Sequence, residues 1–210
     1  PDSQKNINGQ MSEDLKLNGD EFFSFIFNRL AIIDLSERAM QPMISQEYKS
    51  LIMFNGEIYN HRDLKNYLVK KGCTFRTSHS DTEVLLNGFS MDGPDFVNKI
   101  IGQFSIAFYN SKIKKLYLIR DRVGQKPLYY KQTKNSISFS SNLKSLLSIE
   151  KAFEIDNDQL INYLNFGVVP SPKSLFKDIN KLKPGCFLEV DMNSEIFKSK
   201  IFEYWNIEEF

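Results

Sequence analysis

The residues best suited to chemistry are 55–61, NGEIYNH, which follow directly on the apolar run 51–54. A strand that ends in Asn55 and Gly56 can present a side-chain amide and a backbone N–H to one point, which is what a developing oxyanion needs. Gly56 also lets a substrate approach the backbone closely, because it has no Cβ. Taken alone, an Asn-Gly pair equally suits a simple turn. The pair therefore predicts either an oxyanion site or a turn.

The longer string FNGEIYNH resembles the glutaminase domain of the glutamine-hydrolysing asparagine synthetases, which are class II glutamine amidotransferases. The matches run from about residue 29 to residue 205. Two of the matching stretches, 120–130 and 164–185, resemble asparagine synthetases more than other class II amidotransferases. The resemblance implies an N-terminal-nucleophile hydrolase fold, a sandwich of two antiparallel β-sheets between helical layers. The other stretches that resemble the family, in the same order, are RLAIIDLS at 29–36, QPM at 41–43, SDTEVLL at 80–86, RDRVGQKPLYY at 120–130 and LNFGVVPSPKSLFKDINKLKPG at 164–185.

The resemblance also implies a glutamine pocket. Arg29 is the candidate for the substrate carboxylate, because a guanidinium forks onto a carboxylate with two charge-assisted hydrogen bonds. Asp81 is the candidate for the α-ammonium group, and the dipole of the helix it begins also favours a carboxylate there. Glu57 adds a second acceptor, and Asn55 with Gly56 forms the oxyanion hole. The remaining predicted pocket residues are Leu30, Ile32 and Ile33.

Without the resemblance, each of these charges has an ordinary structural explanation. Arg29 equally suits a strand-end charge in water, and Glu57 suits a solvated turn residue. Asp81 suits the first turn of a helix, where a carboxylate is stabilising whatever else it does. The charged turn at 120–130 is interpreted as structural, either bracing the glutamine pocket or facing a synthetase domain, so its residues are not predicted to be catalytic.

The family's nucleophile is a cysteine at the mature amino terminus, activated by its own α-amine, whereas this sequence begins at Pro1. Pro1-Asp2 resembles the tail of the family's His-Arg-Gly-Pro-Asp segment, and no Ser-Gly-Gly phosphate loop of a synthetase domain occurs. We therefore expect a domain truncated at both ends and inactive alone. Phe27 replaces a frequent histidine, and Ser141-Asn142 replaces the usual Ser-Glu, which indicates a divergent member and leaves the ammonia acceptor open.

Neither internal cysteine can serve as that nucleophile, because neither has a free α-amine. Cys73 and Cys186 are interpreted as packing thiols. A thiol hydrolase that pairs Cys73 with His61 or His79 is the alternative, but contact between such residues cannot be established from sequence. Two histidines without helical spacing and without a cysteine cluster argue against zinc, and no metal site is predicted.

Composition places the chain among ordinary globular proteins. It has 210 residues, of which 41% are hydrophobic and 25% are charged, which is typical of soluble domains. A net charge of +1 gives no reason to expect nucleic acid as a partner. No apolar stretch approaches the roughly 20 residues of a membrane helix, and two cysteines suit a reducing compartment. These features predict a cytoplasmic protein that does not bind membranes.

The order of predicted elements indicates an α+β protein, because strands and helices do not alternate regularly. Residues 1–20 are predicted to be loop or disordered, 21–150 the amidotransferase domain, and 151–210 its end, leading toward a synthetase domain. Gly72 is predicted to stop a helix, and Ser80 and Glu83 to form a capping box. Four strands between 103 and 140 predict an antiparallel meander. The predicted strands are 22–27, 30–33, 51–54, 74–76, 103–109, 115–120, 128–132, 136–140 and 186–190; the predicted helices are 62–71, 80–91, a short one before Gly102, 142–149 and 156–165.

The leading functional hypothesis is the glutaminase domain of an asparagine synthetase-like protein, with L-glutamine and the protein's own C-terminal synthetase domain as partners. No cofactor is expected in this domain, whereas ATP and Mg²⁺ are expected for the synthetase domain. A homodimer is compatible with the sequence. The alternatives are a non-catalytic glutamine-binding or interaction module, and an amidotransferase for another acceptor such as a surface-polysaccharide sugar.

Overall fold

The computed structural model describes residues 4–5, 10–17, 21–28, 41–149 and 153–209. The strands are β1 (Gln4–Lys5), β2 (Gln10–Leu17), β3 (Glu21–Asn28), β4 (Met43–Ser45), β5 (Ser50–Ile58), β6 (Gly102–Asn110), β7 (Lys115–Arg120), β8 (Tyr129–Gln132), β9 (Ile137–Ser140), β10 (Asn180–Lys181), β11 (Cys186–Asp191) and β12 (Lys198–Glu203). The α-helices are α1 (His61–Lys70), α2 (Asp81–Asp92), α3 (Leu143–Ile149) and α4 (Asn157–Phe166), and short 3₁₀ helices span Gly93–Lys99 and Ile207–Glu209.

The strands of the described residues form three sheets. The largest has the order β12-β11-β7-β6-β5-β4, and the two three-stranded sheets have the orders β1-β2-β3 and β10-β8-β9. Pairing is antiparallel between β4 and β5, between β7 and β11, and between β11 and β12. It is also antiparallel throughout the smaller sheets. The predicted α+β class with antiparallel sheets is confirmed.

The described residues fall into two compact units. The first unit contains the described residues within Pro1–Phe54, Ile58–Ile101 and Ala107–Lys114. The second unit contains the described residues within Asn55–Glu57, Gly102–Ile106 and Lys115–Phe210. Each unit has its own apolar core, as the hydrophobic effect requires for a stable unit. Core side chains of the first unit include Ile52, Leu68, Leu85, Phe89, Phe96 and Phe108; those of the second include Phe104, Leu118, Ile119, Leu182, Leu188 and Val190.

Helix α1 ends as the sequence predicts. Gly72 has φ +89°, the Gly72 N–H donates to the Val69 carbonyl, and the Cys73 N–H donates to the Leu68 carbonyl. This pair of bonds is the Schellman motif, which needs a residue that tolerates positive φ. The helix stop at Gly72 is therefore confirmed. Helix α4 is capped at its start by Asp156, whose side chain accepts from the Gln159 N–H, and at its end by Gly167, which has φ +72° and donates its N–H to the Tyr163 carbonyl.

Two local predictions fail because long-range pairing decides them. Residues 1–20 are predicted as loop, but β1 and β2 lie there, and β2 pairs with β3 along its full length. The sequence of β2 is mostly polar, and its apolar residues fall only at alternate positions, Met11, Leu15 and Leu17. The meander is also wrong as a single sheet, since β6 and β7 belong to the six-stranded sheet while β8 and β9 pair with β10.

Two further predictions need correction near the candidate site. The predicted strand at 74–76 does not form. The predicted strand at 51–54 continues to Ile58, so Asn55 and Gly56 lie inside β5 and not in a turn. The predicted strand at 30–33 lies outside the described residues.

Helix α4 is the least buried of the longer helices. None of its residues is buried, and Ile161, Leu164 and Phe166 are among the exposed large apolar side chains. Because none of its residues is buried, α4 draws little stability from burial. An isolated helix of ten residues is marginal in water. Across the described residues, no helix combines the length and the apolar content that crossing a membrane takes.

Candidate active site

Residues 55–57 lie within β5, where side chains alternate between the two faces of the strand. Phe54 and Ile58 are buried on one face, while Asn55 and Glu57 are exposed on the other. The burial of Phe54 and Ile58 determines that Asn55 lies on the exposed face of β5. A register slip by one residue would move the Phe54 and Ile58 side chains into solvent. The strand thus presents an amide and a carboxylate side by side at one exposed face.

Gly56 is held against the neighbouring strand β6. It has φ +153°, and a Cβ built on it would lie 2.0 Å from the Gln103 carbonyl oxygen and 2.8 Å from the Phe104 Cα. Real Cβ atoms do not approach backbone this closely, so the space beside Gly56 is already filled by protein. From sequence, this glycine is predicted to give access to a substrate, and that role stays a prediction. The structure shows that close packing of the two strands requires a glycine here.

Asp81 is the first residue of α2 and is buried, with 7% of its surface exposed. Its Oδ2 accepts a long hydrogen bond of 3.4 Å from the Ile58 N–H, and Ile58 directly follows Glu57. Burial raises the pKa of Asp81, although hydrogen bonds from the backbone N–H groups of Ile58 and Thr82 and the nearby His61 act to lower it. A carboxylate whose charge is penalised by burial is suited to bind a cationic group.

His61 lies close to the same strand end. Its Nδ1 is 2.9 Å from the Ile58 carbonyl oxygen, and because a carbonyl can only accept, Nδ1 carries the hydrogen of that bond. The Ile58 peptide is thus bonded through its N–H to Asp81 and through its carbonyl to His61. These two bonds fix the backbone that immediately follows the Asn55–Glu57 segment.

The structure describes four of the eight predicted site residues, namely Asn55, Gly56, Glu57 and Asp81. The first three are consecutive in β5, and Asp81 is bonded to the next residue of that strand. The other predicted residues, Arg29, Leu30, Ile32 and Ile33, lie outside the described residues. Their assignment to the substrate carboxylate and to the pocket remains a prediction.

Glu83 has a different role from the predicted one. As predicted, the Ser80 Oγ accepts from the Glu83 N–H at 3.3 Å. The Glu83 carboxylate does not reach back to Ser80; it accepts from the backbone N–H groups of Arg76 and Thr77 at 2.7 Å each, and also from the Thr77 hydroxyl. The bond from Arg76 occupies a backbone N–H that a strand at 74–76 would use for pairing. Glu83 therefore fixes the loop that leads into Asp81.

Sequence reasoning also missed the role of Asp121. This carboxylate is fully buried; Oδ1 accepts from the N–H groups of Val123 and Gln125, and Oδ2 accepts from those of Phe104 and Lys126. In return, the Asp121 N–H donates to the Phe104 carbonyl at 2.9 Å. Because the Phe104 Cα lies against Gly56, Asp121 supports the backbone on which Gly56 packs.

Arg120 completes this turn with contacts to carbonyl groups. Its guanidinium donates to the Leu182 carbonyl at 2.6 Å, the Gly124 carbonyl at 2.7 Å and the Lys126 carbonyl at 2.9 Å. Burial lowers the pKa of Arg120, with the adjacent Asp121 acting in the opposite direction. Both side chains are satisfied by protein backbone, which supports the structural interpretation of the charged turn.

The described residues offer little for thiol or metal chemistry. Cys73 and Cys186 are both buried and free, and burial raises the pKa of both thiols, which disfavours the reactive thiolate. Within the part of the chain that the structure describes, no group of three or more His, Cys, Asp or Glu side chains could hold a metal ion. The candidate chemistry of the described residues is that of amide donors and carboxylates.

Comparison with solved structures shows the fold. The glutamine phosphoribosylpyrophosphate amidotransferase from B. subtilis aligns with a TM-score of 0.55 at 20% identity, over 84% of this chain and 34% of that one. The allosteric regulatory enzyme of purine biosynthesis aligns with a TM-score of 0.50 at 21% identity, over 78% of this chain and 31% of that one. The chain accordingly has the fold of the N-terminal-nucleophile amidotransferases, as the resemblance implied.

Curated relatives point to one group of enzymes. Asparagine synthetase [glutamine-hydrolyzing] 1 of Bacillus subtilis is 38% identical over 177 residues, covering 84% of this chain and 28% of the relative. Asparagine synthetase [glutamine-hydrolyzing] 2 of the same organism is 33% identical over 94% of this chain and 26% of the relative. A putative asparagine synthetase of Methanocaldococcus jannaschii is 32% identical over 87% and 38%. The chain thus spans between a quarter and two fifths of the length of these relatives.

A family model described as a glutamine amidotransferase domain matches residues 15–205, which is most of the chain. That match includes all the predicted site residues and the charged turn. Together with the fold and the relatives, it shows that the chain belongs to the family of class II glutamine amidotransferase domains.

Proposed function

We propose that this domain hydrolyses glutamine and supplies the ammonia to an asparagine synthetase-like protein. The proposal is carried by the buried Asp81 carboxylate, which is bonded to the backbone directly after the Asn55–Glu57 segment. An α-ammonium group is a fitting partner for such a carboxylate, because it would compensate for the burial that raises the Asp81 pKa. The names of the relatives support asparagine as the final product.

The proposed reaction uses the described residues to bind substrate and to stabilise charge. A cysteine thiolate, which the resemblance places at the mature amino terminus, attacks the side-chain amide carbon of glutamine. The Asn55 amide and the Gly56 N–H stabilise the resulting oxyanion. The carbon–nitrogen bond then breaks, ammonia leaves with the proton taken from the thiol, and water hydrolyses the thioester to glutamate.

The synthetase part of the proposal concerns the full-length protein. There, ATP and Mg²⁺ would activate aspartate as an adenylate, and ammonia would displace AMP to give asparagine. This domain needs no cofactor for glutamine hydrolysis, since a thiol, donors and carboxylates suffice for it. Its proposed partners are L-glutamine and the synthetase domain of the same polypeptide.

The test uses the full-length protein that carries this domain. Asn55→Ala should lower kcat for glutamate release about 10²- to 10³-fold, the usual loss for one oxyanion donor, with little change in the melting temperature because Asn55 is exposed. Asn135→Ala, which also changes an exposed asparagine, is the matched control and should leave kcat unchanged.

Three results would contradict parts of this proposal. Unchanged kcat in Asn55→Ala would remove Asn55 from the oxyanion site. Glutamine binding without glutamate release by the wild type would favour a non-catalytic binding module. Glutamate release without asparagine formation from aspartate and MgATP would point to another ammonia acceptor.

A further inference from the structure

Gln41 is a buried residue outside the predicted glutamine site. Its side chain forms two hydrogen bonds with one backbone unit: the Phe54 N–H donates to Oε1 at 2.5 Å, and Nε2 donates to the Phe54 carbonyl at 3.0 Å. The orientation of the amide follows from these partners, because a backbone N–H can only donate and a carbonyl can only accept. A side-chain amide thus pairs with Phe54 as a neighbouring strand would.

The register of the sheet explains why a side chain is used at this place. In the β4–β5 pair, Met43 lies opposite Ile52 and Ile44 lies opposite Leu51, so continuing the ladder would bring residue 41 opposite residue 54. Strand β4 begins only at Met43, and Gln41 and Pro42 form a bend before it, so the backbone ladder stops short of Phe54. The Gln41 side chain supplies the missing pair of hydrogen bonds at the last residue before Asn55.

The same side chain reaches the start of α2. Its Nε2 lies 3.5 Å from the Thr82 Oγ1, at the limit of a hydrogen bond, and both residues are buried. Thr82 follows Asp81, and its backbone N–H is one of those that bond the Asp81 carboxylate. One amide therefore contacts the residue before Asn55 and the residue after Asp81.

We propose that Gln41 is a positioning residue for glutamine hydrolysis, an inference that rests on the proposed function. Gln41 holds the Phe54–Asn55 peptide in place, and with it the amide donor for the oxyanion, and it links this strand to the helix start that carries Asp81. Such positioning matters because a displacement of about 1 Å can cost about 100-fold in rate. Gln41 itself does not contact the reacting atoms.

The experiment measures glutamine hydrolysis by the full-length protein with Gln41→Met, which keeps the length of the side chain but removes the amide. We expect kcat to fall about 10- to 100-fold and KM for glutamine to rise. Gln132→Met is the matched control, since Gln132 also donates from Nε2 to a backbone carbonyl, that of Phe197 at 3.2 Å, in a different sheet. This control should keep the wild-type kcat and KM.

A second measurement separates positioning from folding. Hydrogen exchange of the Phe54 amide should accelerate in Gln41→Met and not in Gln132→Met, whereas amides of α3 should keep their protection in both. If Gln41→Met does not fold, Thr82→Val removes only the Oγ1 contact, and this variant should raise KM several-fold with unchanged melting temperature.

The outcomes distinguish the inference from the function on which it rests. Wild-type kcat and KM in folded Gln41→Met would overturn the positioning role while leaving glutamine hydrolysis intact. Absence of glutaminase activity in the wild type would overturn the proposed function; the exchange experiment then decides about Gln41, because unchanged protection of the Phe54 amide would overturn its role as a strand partner.

Discussion

Gly56 is constrained by close packing, and under the proposed function also by chemistry. The site of its missing Cβ is occupied by the Gln103 carbonyl oxygen, 2.0 Å away, and its φ is +153°. We expect Gly56→Ala to lower the free energy of unfolding by about 3 kcal/mol or more, combining the cost of positive φ with overpacking. Urea unfolding monitored by circular dichroism would measure this loss.

Gly72→Ala is the matched control for that experiment. Gly72 also has positive φ, but a Cβ there would meet nothing within 4 Å, so only the backbone cost of about 1–2 kcal/mol applies. Equal losses in the two variants would show that contact with Gln103 is unimportant. In that case the glycine would be explained by backbone conformation alone.

The sequence predicts which residue types suit the site but not how they are supported. Asn55 and Asp81 are proposed as site residues because amides and carboxylates suit an oxyanion and an ammonium group. Gln41 and Asp121 lie in recognised motifs, yet their roles depend on Phe54, 13 residues away, and on Phe104, 17 residues away. Sequence spacing does not encode such contacts.

At the level of elements, the start of α2 depends on Glu83, whose carboxylate accepts from two backbone N–H groups and one hydroxyl of the preceding loop. In Glu83→Gln, either orientation of the amide would place its NH₂ against the backbone N–H of Arg76 or of Thr77, and a backbone N–H can only donate. We expect the free energy of unfolding to fall by about 2–3 kcal/mol, as for lost hydrogen bonds to a charged group. Exchange of the Arg76 and Thr77 amides should also accelerate.

The control for this substitution is Glu195→Gln, at an exposed position, where the change in unfolding free energy should stay within about 0.5 kcal/mol. The opposite pattern, with Glu83→Gln as stable as the wild type and normal exchange at Arg76, would mean that the loop is held by other contacts. The Lys65 ammonium, which donates to the carbonyls of Thr77 and Ser78, would then be the main candidate.

The elements with local signals are those the sequence predicts best. Helix α1 has an amphipathic pattern and a glycine stop, α2 has a serine cap, and β7 spans the predicted residues 115–120. The elements that were missed depend on distant partners. Strand β2 forms by pairing with β3, and β8 pairs with β10, some 50 residues later in the chain.

At the scale of the whole molecule, the fold agrees with the resemblance more closely than with periodicity. Alternating apolar runs identify strands but do not say which strands become neighbours, because one apolar face can be buried in several sheet orders. The observed order β12-β11-β7-β6-β5-β4 joins the C-terminal strands to those that carry residues 55–57. Only the family resemblance indicated an architecture of this kind in advance.

The stability of the whole molecule should depend on pH through Asp81. Its pKa is raised in the folded state, first by burial, above the value of about 3.9 for an unfolded chain. The folded state therefore holds this proton more tightly, so the contribution of Asp81 is most favourable below that pH and is lost as pH rises through the folded pKa. Asp81→Asn keeps an oxygen for the Ile58 N–H and removes the charge.

We therefore expect Asp81→Asn to be more stable than the wild type at pH 7, with the difference shrinking as the pH falls toward about 4. Urea unfolding of both proteins between pH 4 and pH 7 isolates this one group, because the other titrating groups cancel in the difference.

Asp63→Asn, in the exposed first turn of α1, tests the loss of a helix-start carboxylate and should be slightly destabilising. A pH-independent difference between Asp81→Asn and the wild type would show that the carboxylate is not destabilised by burial. Greater stability together with weaker glutamine binding is the combination expected of a charge that is kept for an ammonium group and not for folding.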